Sequence, residues 1–548
     1  MINYHPSPLL RVQPFTAFTL RDCISQLPVE MHSEIASFLS PNDLAACVRV
    51  NKTWFALYNR ELWRTIDILD KQAFYRFAYA APAALVRNGH LMRDVQTEHY
   101  LLVRILALGH NCTRLRSLQI CSNGDENTQA LQPVDIDFLA KVLQRNPGLE
   151  LLYVHDPTTA PNAHQARLFA AIPPGLVDLI LHGTEFQQSY QPTEGDHTIG
   201  AFITTTGDTD ILMDKDPPTF PLGLETLALV GCFDYNHALF QFLSRCQSLQ
   251  HIELGGREDI PVQGLCSLFQ RACPNLISLR LTVPSYNDTH LADMISSGSV
   301  RGWRHLHLQG GDLGPLSRQA LLQRAGTLES LGLEFWDSLS SAEIQQFLCL
   351  ASQLRKFVME PVLPSTSGRL HARDVIRSRW ACQSLEVLKV VIDQIPRPDL
   401  CERTNGRPLE GALHEGSSME ESFQIQQRVY EQLGRLGQLR MLDLGISMRA
   451  QEWNDVIYEA EVASETVFLD LDRPQQGRQY ECLSFTLESG LGWMAGLGKL
   501  EALQLQNMAV GFENWEEQQW AEQNWTCLSV VLTREEDGLI DLTAVEEW

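Results

Sequence analysis

Three histidines come nearest to metal chemistry in this 548-residue sequence. His305 and His307 stand two apart in "WRHLHL", a spacing that puts both side chains on one face of a strand. His251 occupies the matching place in "LQHIEL", two strands earlier if both stretches belong to one sheet. Zinc asks for three or four ligands held by further hydrogen bonds, and nothing in the spacing supplies that frame, so no metal is expected. "GLGWMAGLGKL" has the glycines and lysine of a phosphate loop, but leucine follows Lys499 where Ser or Thr is needed, and the glycine spacing is wrong. "HEGSSMEESF" gathers a histidine, acids and serines in a stretch without a rigid frame. No G-x-G-x-x-G follows a strand, and neither H-E-x-x-H nor G-x-S-x-G occurs. No catalytic residue and no cofactor is therefore expected, and a hydrolase or transferase hidden in the irregular region 400–480 stands only as an alternative.

The bulk properties narrow the remaining classes. A chain this long exceeds one compact core, which points to several domains or a repeat array. No run approaches the roughly 20 apolar residues that a bilayer requires, so no membrane partner is expected. The formal charge of −24 argues against a nucleic-acid-binding body. The charge is uneven: residues 1–110 carry 11 Lys/Arg against 9 Asp/Glu, whereas 511–548 carry 10 acidic residues against Arg534 alone, an acidic C-terminal segment. The thirteen cysteines are scattered singly, without a CxxC pair, and "MINYHPSPLLRVQPF" lacks the basic and long apolar regions of a secretory leader. Reduced thiols in the cytoplasm or nucleus are the expectation.

Internal repetition decides the architecture. The form L-x-x-L-x-L recurs as "LRSLQI" from Leu115, "LVDLIL" from Leu176, "LETLAL" from Leu224 and "LQHIEL" from Leu249. It continues through "LISLRL", "WRHLHL", "LESLGL" and "LRKFVM" to "LEVLKV", "LRMLDL" and "LEALQL". From Leu224 to Leu354 the starts fall 25, 27, 27, 25 and 26 residues apart, the period of leucine-rich repeats. Within each copy the last two apolar positions alternate with polar ones, so they face one way from a short strand. Helix-like stretches such as "VQGLCSLFQRACPNLISL" lie between, and stacked units share one core. Cys246 and Cys273, just ahead of their strands, are expected to pack inside the turn. The gaps of 54 and 61 residues after Leu385 and Leu439 read as about two repeats each. Loop insertions are expected near 186–220 and 400–425, the latter rich in Gly, Ser and charge.

A different unit precedes the array: "LPVEMHSEIASFLSPNDLAACVRVNKTWFALYNRELWRTI". Met31, Ile35, Phe38 and Leu39 mark one face of a first short helix. "SPND" then starts a second, with Ser40 as cap, Pro41 at the first position and Asp43 three residues after the cap; Leu44, Cys47 and Val48 form its apolar face. Trp54, Leu57 and Tyr58 mark a third. Pro28 suits a first helical position, which would leave Leu27 as an N-cap with no capping oxygen. A broken local rule of this kind points to a role outside the helix.

Leu27, Pro28, Glu30, Ile35, Leu39, Asp43, Leu44, Val50, Trp54 and Trp63 resemble the F-box, whose pattern runs LPxE, an apolar residue five on, DL, V, W and a closing LW. F-box followed by leucine-rich repeats resembles the F-box/leucine-rich-repeat substrate receptors of SCF-type cullin–RING ubiquitin ligases. The resemblance implies an α/β chain: a three-helix F-box at 24–66, a helical linker and degenerate first repeat at 67–110, and a horseshoe solenoid at 111–510 with parallel strands on its concave face. It implies that Leu27, Pro28, Glu30, Ile35, Leu39, Leu44, Val48, Trp54 and Trp63 meet a Skp-type adaptor, and through it a cullin–RING ligase. The repeats would bind a protein substrate for ubiquitination; the alternative is a repeat scaffold that assembles complexes without degradation.

The polar residues between the apolar strand positions are the candidate substrate contacts: His251, Glu253, Ser278, Arg280, His305, His307, Ser330, Gly332, Glu334, Lys356, Glu360 and Lys389, with Trp336 just beyond one strand. Arg280 and Trp336 are the expected anchors, since Arg and Trp dominate binding energies at interfaces.

Overall fold

The computed structural model of the chain describes residues 27–68, 83–99, 101–108, 111–121, 133–155, 162–182, 221–231, 237–256, 262–282, 287–310, 313–335, 339–361, 368–398, 418–445, 481–505, 515–528 and 530–532. The chain divides into two compact units: Met1–Asp156 with Ala171–Leu176, and Pro157–Ala170 with Val177–Trp548.

The first unit opens with α1 (Val29–Ser37), α2 (Pro41–Cys47) and α3 (Lys52–Leu62). Capping sets the two turns between them. Ser40 Oγ accepts from the Asp43 N–H at 3.2 Å, and Asn51 Oδ1 accepts from the Trp54 N–H at 2.9 Å, so each satisfies a donor that a helix start leaves open. At α1 the expectation shifts by one residue. Pro28, extended at φ −56° and ψ 150°, is itself the N-cap, and its carbonyl accepts from Met31 and His32, so Leu27 lies wholly ahead of the helix. Four parallel strands follow in ladder order: β1 (Thr65–Ile68), β2 (Asp94–Thr97), β3 (Ser117–Ile120) and β4 (Leu151–His155). The repeat ladder thus begins directly behind α3, where degenerate copies such as Ile66-x-Ile68 hide it from a search for leucine. Buried Asn146 closes this unit's turn, accepting from the Leu115 N–H and donating to the Cys112 and Val142 carbonyls.

In the second unit the strands are β5 (Asp178–His182), β6 (Thr226–Val230), β7 (His251–Gly255), β8 (Ser278–Thr282), β9 (His305–Gln309), β10 (Ser330–Phe335) and β11 (Lys356–Pro361). Then come β12 (Arg369–His371), β13 (Val387–Lys389), β14 (Val391–Asp393), β15 (Met441–Asp443), β16 (Ala502–Gln504) and β17 (Val530–Leu532). All pair in parallel in the order β5 to β11, β13, β15, β16, β17, while β12 and β14 form a separate pair. β13 pairs directly with β15, and β15 with β16, so each long gap holds one register step with an insertion rather than two repeats. Spacing alone could not separate those cases. Ser418, accepting from the Glu421 N–H, starts the helix Met419–Gly434 inside the stretch expected as a loop. The expected insertion near 186–220, most of 400–425, and 533–548 of the acidic segment lie outside the described residues, while 515–524 form a helix.

Alternation does the packing. Leu279, Leu281, Leu306, Leu308, Leu331 and Leu333 point inward and are fully buried beside Leu276, Trp303 and Leu328. Burying each such side chain contributes roughly 1.5–3 kcal/mol. Cys246 and Cys273 are enclosed as expected: their thiols sit by the Phe242 and Leu243 carbonyls, and burial pushes the Cys273 thiol up to about 12. Neighbouring repeats also cap one another. Asp288 accepts from the Leu316 and Ser317 N–H groups at 2.9 and 2.8 Å, at the start of the helix Pro315–Arg324, whose own N-cap is Gly314. A Cβ on Gly314 would meet that carboxyl at 2.2 Å, so glycine leaves room for the cap. Desolvation acts to raise the Asp288 carboxyl, but hydrogen bonds from Ser317 and Leu316 and the Arg318 charge together hold it below the usual range.

Candidate functional site

Two surfaces carry the expected contacts. On the first unit, α1–α3 close over a small core of Ala36, Leu44 and Tyr58, with Leu39, Cys47, Val48, Trp54, Leu57 and Leu62 packed against it. The inward face of α1 is His32 and Ala36, not Met31 and Phe38. His32 Nδ1 lies 3.2 Å from the Tyr58 hydroxyl, and Tyr58 also stacks obliquely on Trp54 at 5.4 Å. This buried polar pair takes a place that apolar periodicity assigns to larger residues.

The consequence is an apolar surface turned to solvent. Phe38, the C-cap of α1, is 81% exposed and Met31 48%, and their spacing of seven puts both on one side of the helix. Leu27, Val29, Val50 and Phe55 are exposed too. So many large apolar side chains on so small a unit mark a surface for association. Of the residues expected at an adaptor, Leu27, Pro28 and Glu30 are exposed, while Ile35, Leu39, Val48, Trp54 and Trp63 are half-buried. Leu44 is corrected: at 8% exposure it belongs to the core of the three helices and offers no surface. Val29, Met31, Phe38 and Phe55, exposed here, were not among the residues expected at the surface, because an apolar residue in a helix reads first as core.

On the second unit the register aligns the polar strand positions in rows. His251, Ser278, His305, Ser330 and Lys356 form one row, and Glu253, Arg280, His307, Gly332 and Val358 the next. Charges in these rows meet across strands. Glu253 lies 3.3 Å from Arg280 and 4.0 Å from His182, and His307 lies 3.2 Å from Glu334. Lys389 reaches Asp443 at 3.6 Å. Gly332 makes room for one of these contacts: a Cβ there would meet His307 Nδ1 at 2.2 Å.

The row as a whole is therefore a mixed, largely self-paired polar strip. His305 and His251 do fall in one row, two strands apart, as the sequence suggests. Burial lowers the His305 imidazole from its ordinary value, opposed by Glu329 and assisted by His251 and Arg304. Among the described residues no three His, Cys, Asp or Glu side chains converge on a metal position. Trp336 and the Glu360 side chain lie outside the described residues. No described helix is long and apolar enough to cross a membrane.

Residues 24–69 match the F-box-like family model. No curated protein matches the chain. Among solved structures, a leucine-rich-repeat protein of Leptospira interrogans is similar at 12% identity and a TM-score of 0.33, over 80% of this chain and 90% of that one. The repeat assignment rests on the strand ladder itself. The chain thus carries an F-box-like segment followed by leucine-rich repeats.

Proposed function

We propose that this chain is the substrate-recognition subunit of an SCF-type ubiquitin ligase, in which α1–α3 dock a Skp-type adaptor and the repeats hold a protein substrate. The observation that carries the reading is the exposed apolar side of an F-box-like unit, Met31 and Phe38 foremost, which is costly to leave in water without a partner. The chain itself performs no bond chemistry in this role. By holding the substrate beside a charged conjugating enzyme it raises the effective concentration of substrate lysines, which accelerates transfer. The reactive thiol belongs to that partner, consistent with Cys246, Cys273 and Cys382 here being buried, with thiols raised above their ordinary value. A mixed-sign strip on the repeats favours a folded or segmental protein target over a nucleic acid. The proposal places the protein in the cytoplasm or nucleus, where such thiols stay reduced.

A pull-down of purified Skp-type adaptor with wild-type chain and with a Leu27→Ala, Pro28→Ala variant tests the reading. The adaptor is retained by wild type and lost from the variant. Retention by neither overturns the ligase role.

A further inference from the structure

The residue immediately ahead of each strand forms a row of its own, because these backbones are hydrogen-bonded in sequence. In the second unit the row passes through Val177, Glu225, Gln250 and Ile277, and from β9 onward runs Arg304, Glu329, Arg355, Glu386, Arg440, Glu501, each N–H donating to the carbonyl before it. In that later stretch the signs alternate, and every arginine has a carboxylate beside it: Arg304–Glu329 at 3.3 Å, Arg355–Glu386 at 3.8 Å and Arg440–Glu501 at 2.9 Å. Strands lie about 4.8 Å apart, so unlike neighbours in a row attract and like ones repel.

In the first unit the same row runs Arg64, Arg93, Arg116, Glu150. Three arginines stand side by side, and Arg60 from the last turn of α3 and Arg114 join them. Glu61 approaches Arg64 at 3.4 Å and Glu150 approaches Arg116 at 3.8 Å. Arg93 donates to the Arg114 carbonyl at 3.1 Å, and Arg60 and Arg114 have no ion pair among the described residues. Desolvation, and then the crowding of Arg114, Arg116, Arg60 and Arg64, lowers the Arg93 guanidinium from its ordinary value. A pocket of about 160 Å³ opens among Arg60, Arg64, Leu91, Arg93, Asp94 and Arg116. Even counting Asp94, five guanidinium groups face three carboxylates, in a chain whose formal charge is −24. A row that nowhere sets two arginines side by side in one unit and sets three together in the other has kept a local repulsion that a bound anion would relieve.

We propose that this pocket binds the phosphoryl group of a phosphorylated side chain on a partner protein. A phosphate monoester carries roughly −1.5 to −2 charges at pH 7 and three acceptor oxygens, and planar guanidinium forks match that geometry in pairs. A carboxylate brings one charge and two oxygens, too little for this cluster. A nucleic acid is disfavoured because the remaining acidic surface repels a long polyanion, whereas one phosphoryl group feels mainly charges within about a Debye length, roughly 8 Å. The proposal stands apart from the ligase reading, since its test needs this chain alone.

Calorimetric titration of the full chain at 0.15 M salt decides it, using a short phosphoserine peptide, the same peptide unphosphorylated, inorganic phosphate, and a single-stranded oligonucleotide. The phosphopeptide binds at least tenfold tighter than the unphosphorylated one, and Arg93→Gln and Arg60→Gln each weaken it about tenfold, whereas Arg304→Gln in the charge-paired row leaves it unchanged. Inorganic phosphate binding as tightly as the phosphopeptide, with the same loss in the variants, supports the phosphoryl pocket and assigns its source to free phosphate. Equal binding of the two peptides, indifference to Arg93→Gln and Arg60→Gln, or tighter binding of the oligonucleotide overturns the proposal.

Discussion

Changing Met31 and Phe38 together to aspartate lowers adaptor affinity by about 100-fold or more, which corresponds to at least ~2.7 kcal/mol. Phe38 is largely exposed and Met31 about half exposed in the chain, so their replacement removes little packing and should shift stability by less than about 1 kcal/mol each. At a bound surface the same positions would be desolvated, and a charge there would lose its hydration without a counter-ion. Truncation of a central apolar anchor already costs about 2 kcal/mol or more at interfaces, and a buried aspartate adds to that. Titration calorimetry against the adaptor, run beside thermal unfolding, separates the two effects. Leu44→Ala should behave in the opposite way, because that leucine is core: stability falls by about 2–5 kcal/mol, and binding falls only through unfolding. Equal adaptor affinity of the aspartate variant and wild type would place the docking surface elsewhere.

Trp303→Ala should destabilise the repeats by about 3–5 kcal/mol, a large share of the total for a marginally stable fold. Trp303 occupies the first apolar place of its motif, where Leu276 and Leu328 stand in the repeats to either side, and it is 1% exposed. Its indole N–H donates to the Met294 carbonyl at 2.8 Å. The ring lies so close over Gly298 that a Cβ there would approach Trp303 at 2.8 Å. Alanine therefore leaves a cavity and removes a hydrogen bond at once, while Trp303→Leu refills part of the space and should cost less. Because each repeat touches only its neighbours, the damage should show first as protease cleavage near the helix Asp288–Ser297 and β9. A loss under about 1 kcal/mol in denaturant titration would contradict the packing described.

The two kinds of surface were not equally legible. The ladder could be read from spacing because each strand repeats the same pair of inward leucines, as at Leu279 and Leu281 or Leu306 and Leu308. The cap at Ser40 is local, so a few adjacent residues announce it. Degenerate strands such as β1 and β2 escaped because Ile66 and Val95 stand where the search expects leucine. The inward face of α1 escaped for a related reason: Ala36 is small and His32 polar, so neither registers as hydrophobic pattern, yet together they meet Tyr58. Cross-strand relations were out of reach. The pairing of Glu253 with Arg280, the Asp288 cap on the next helix and the run of Arg64, Arg93 and Arg116 each join residues 23 to 29 apart, which only the register brings together.

The central claim is that α1–α3 form the adaptor surface, and amide hydrogen exchange of the full chain with and without the Skp-type adaptor tests it most directly. Slowed exchange confined to residues 27–63 is the expected result. Unchanged exchange across α1–α3, or slowing only within the repeats, would contradict it.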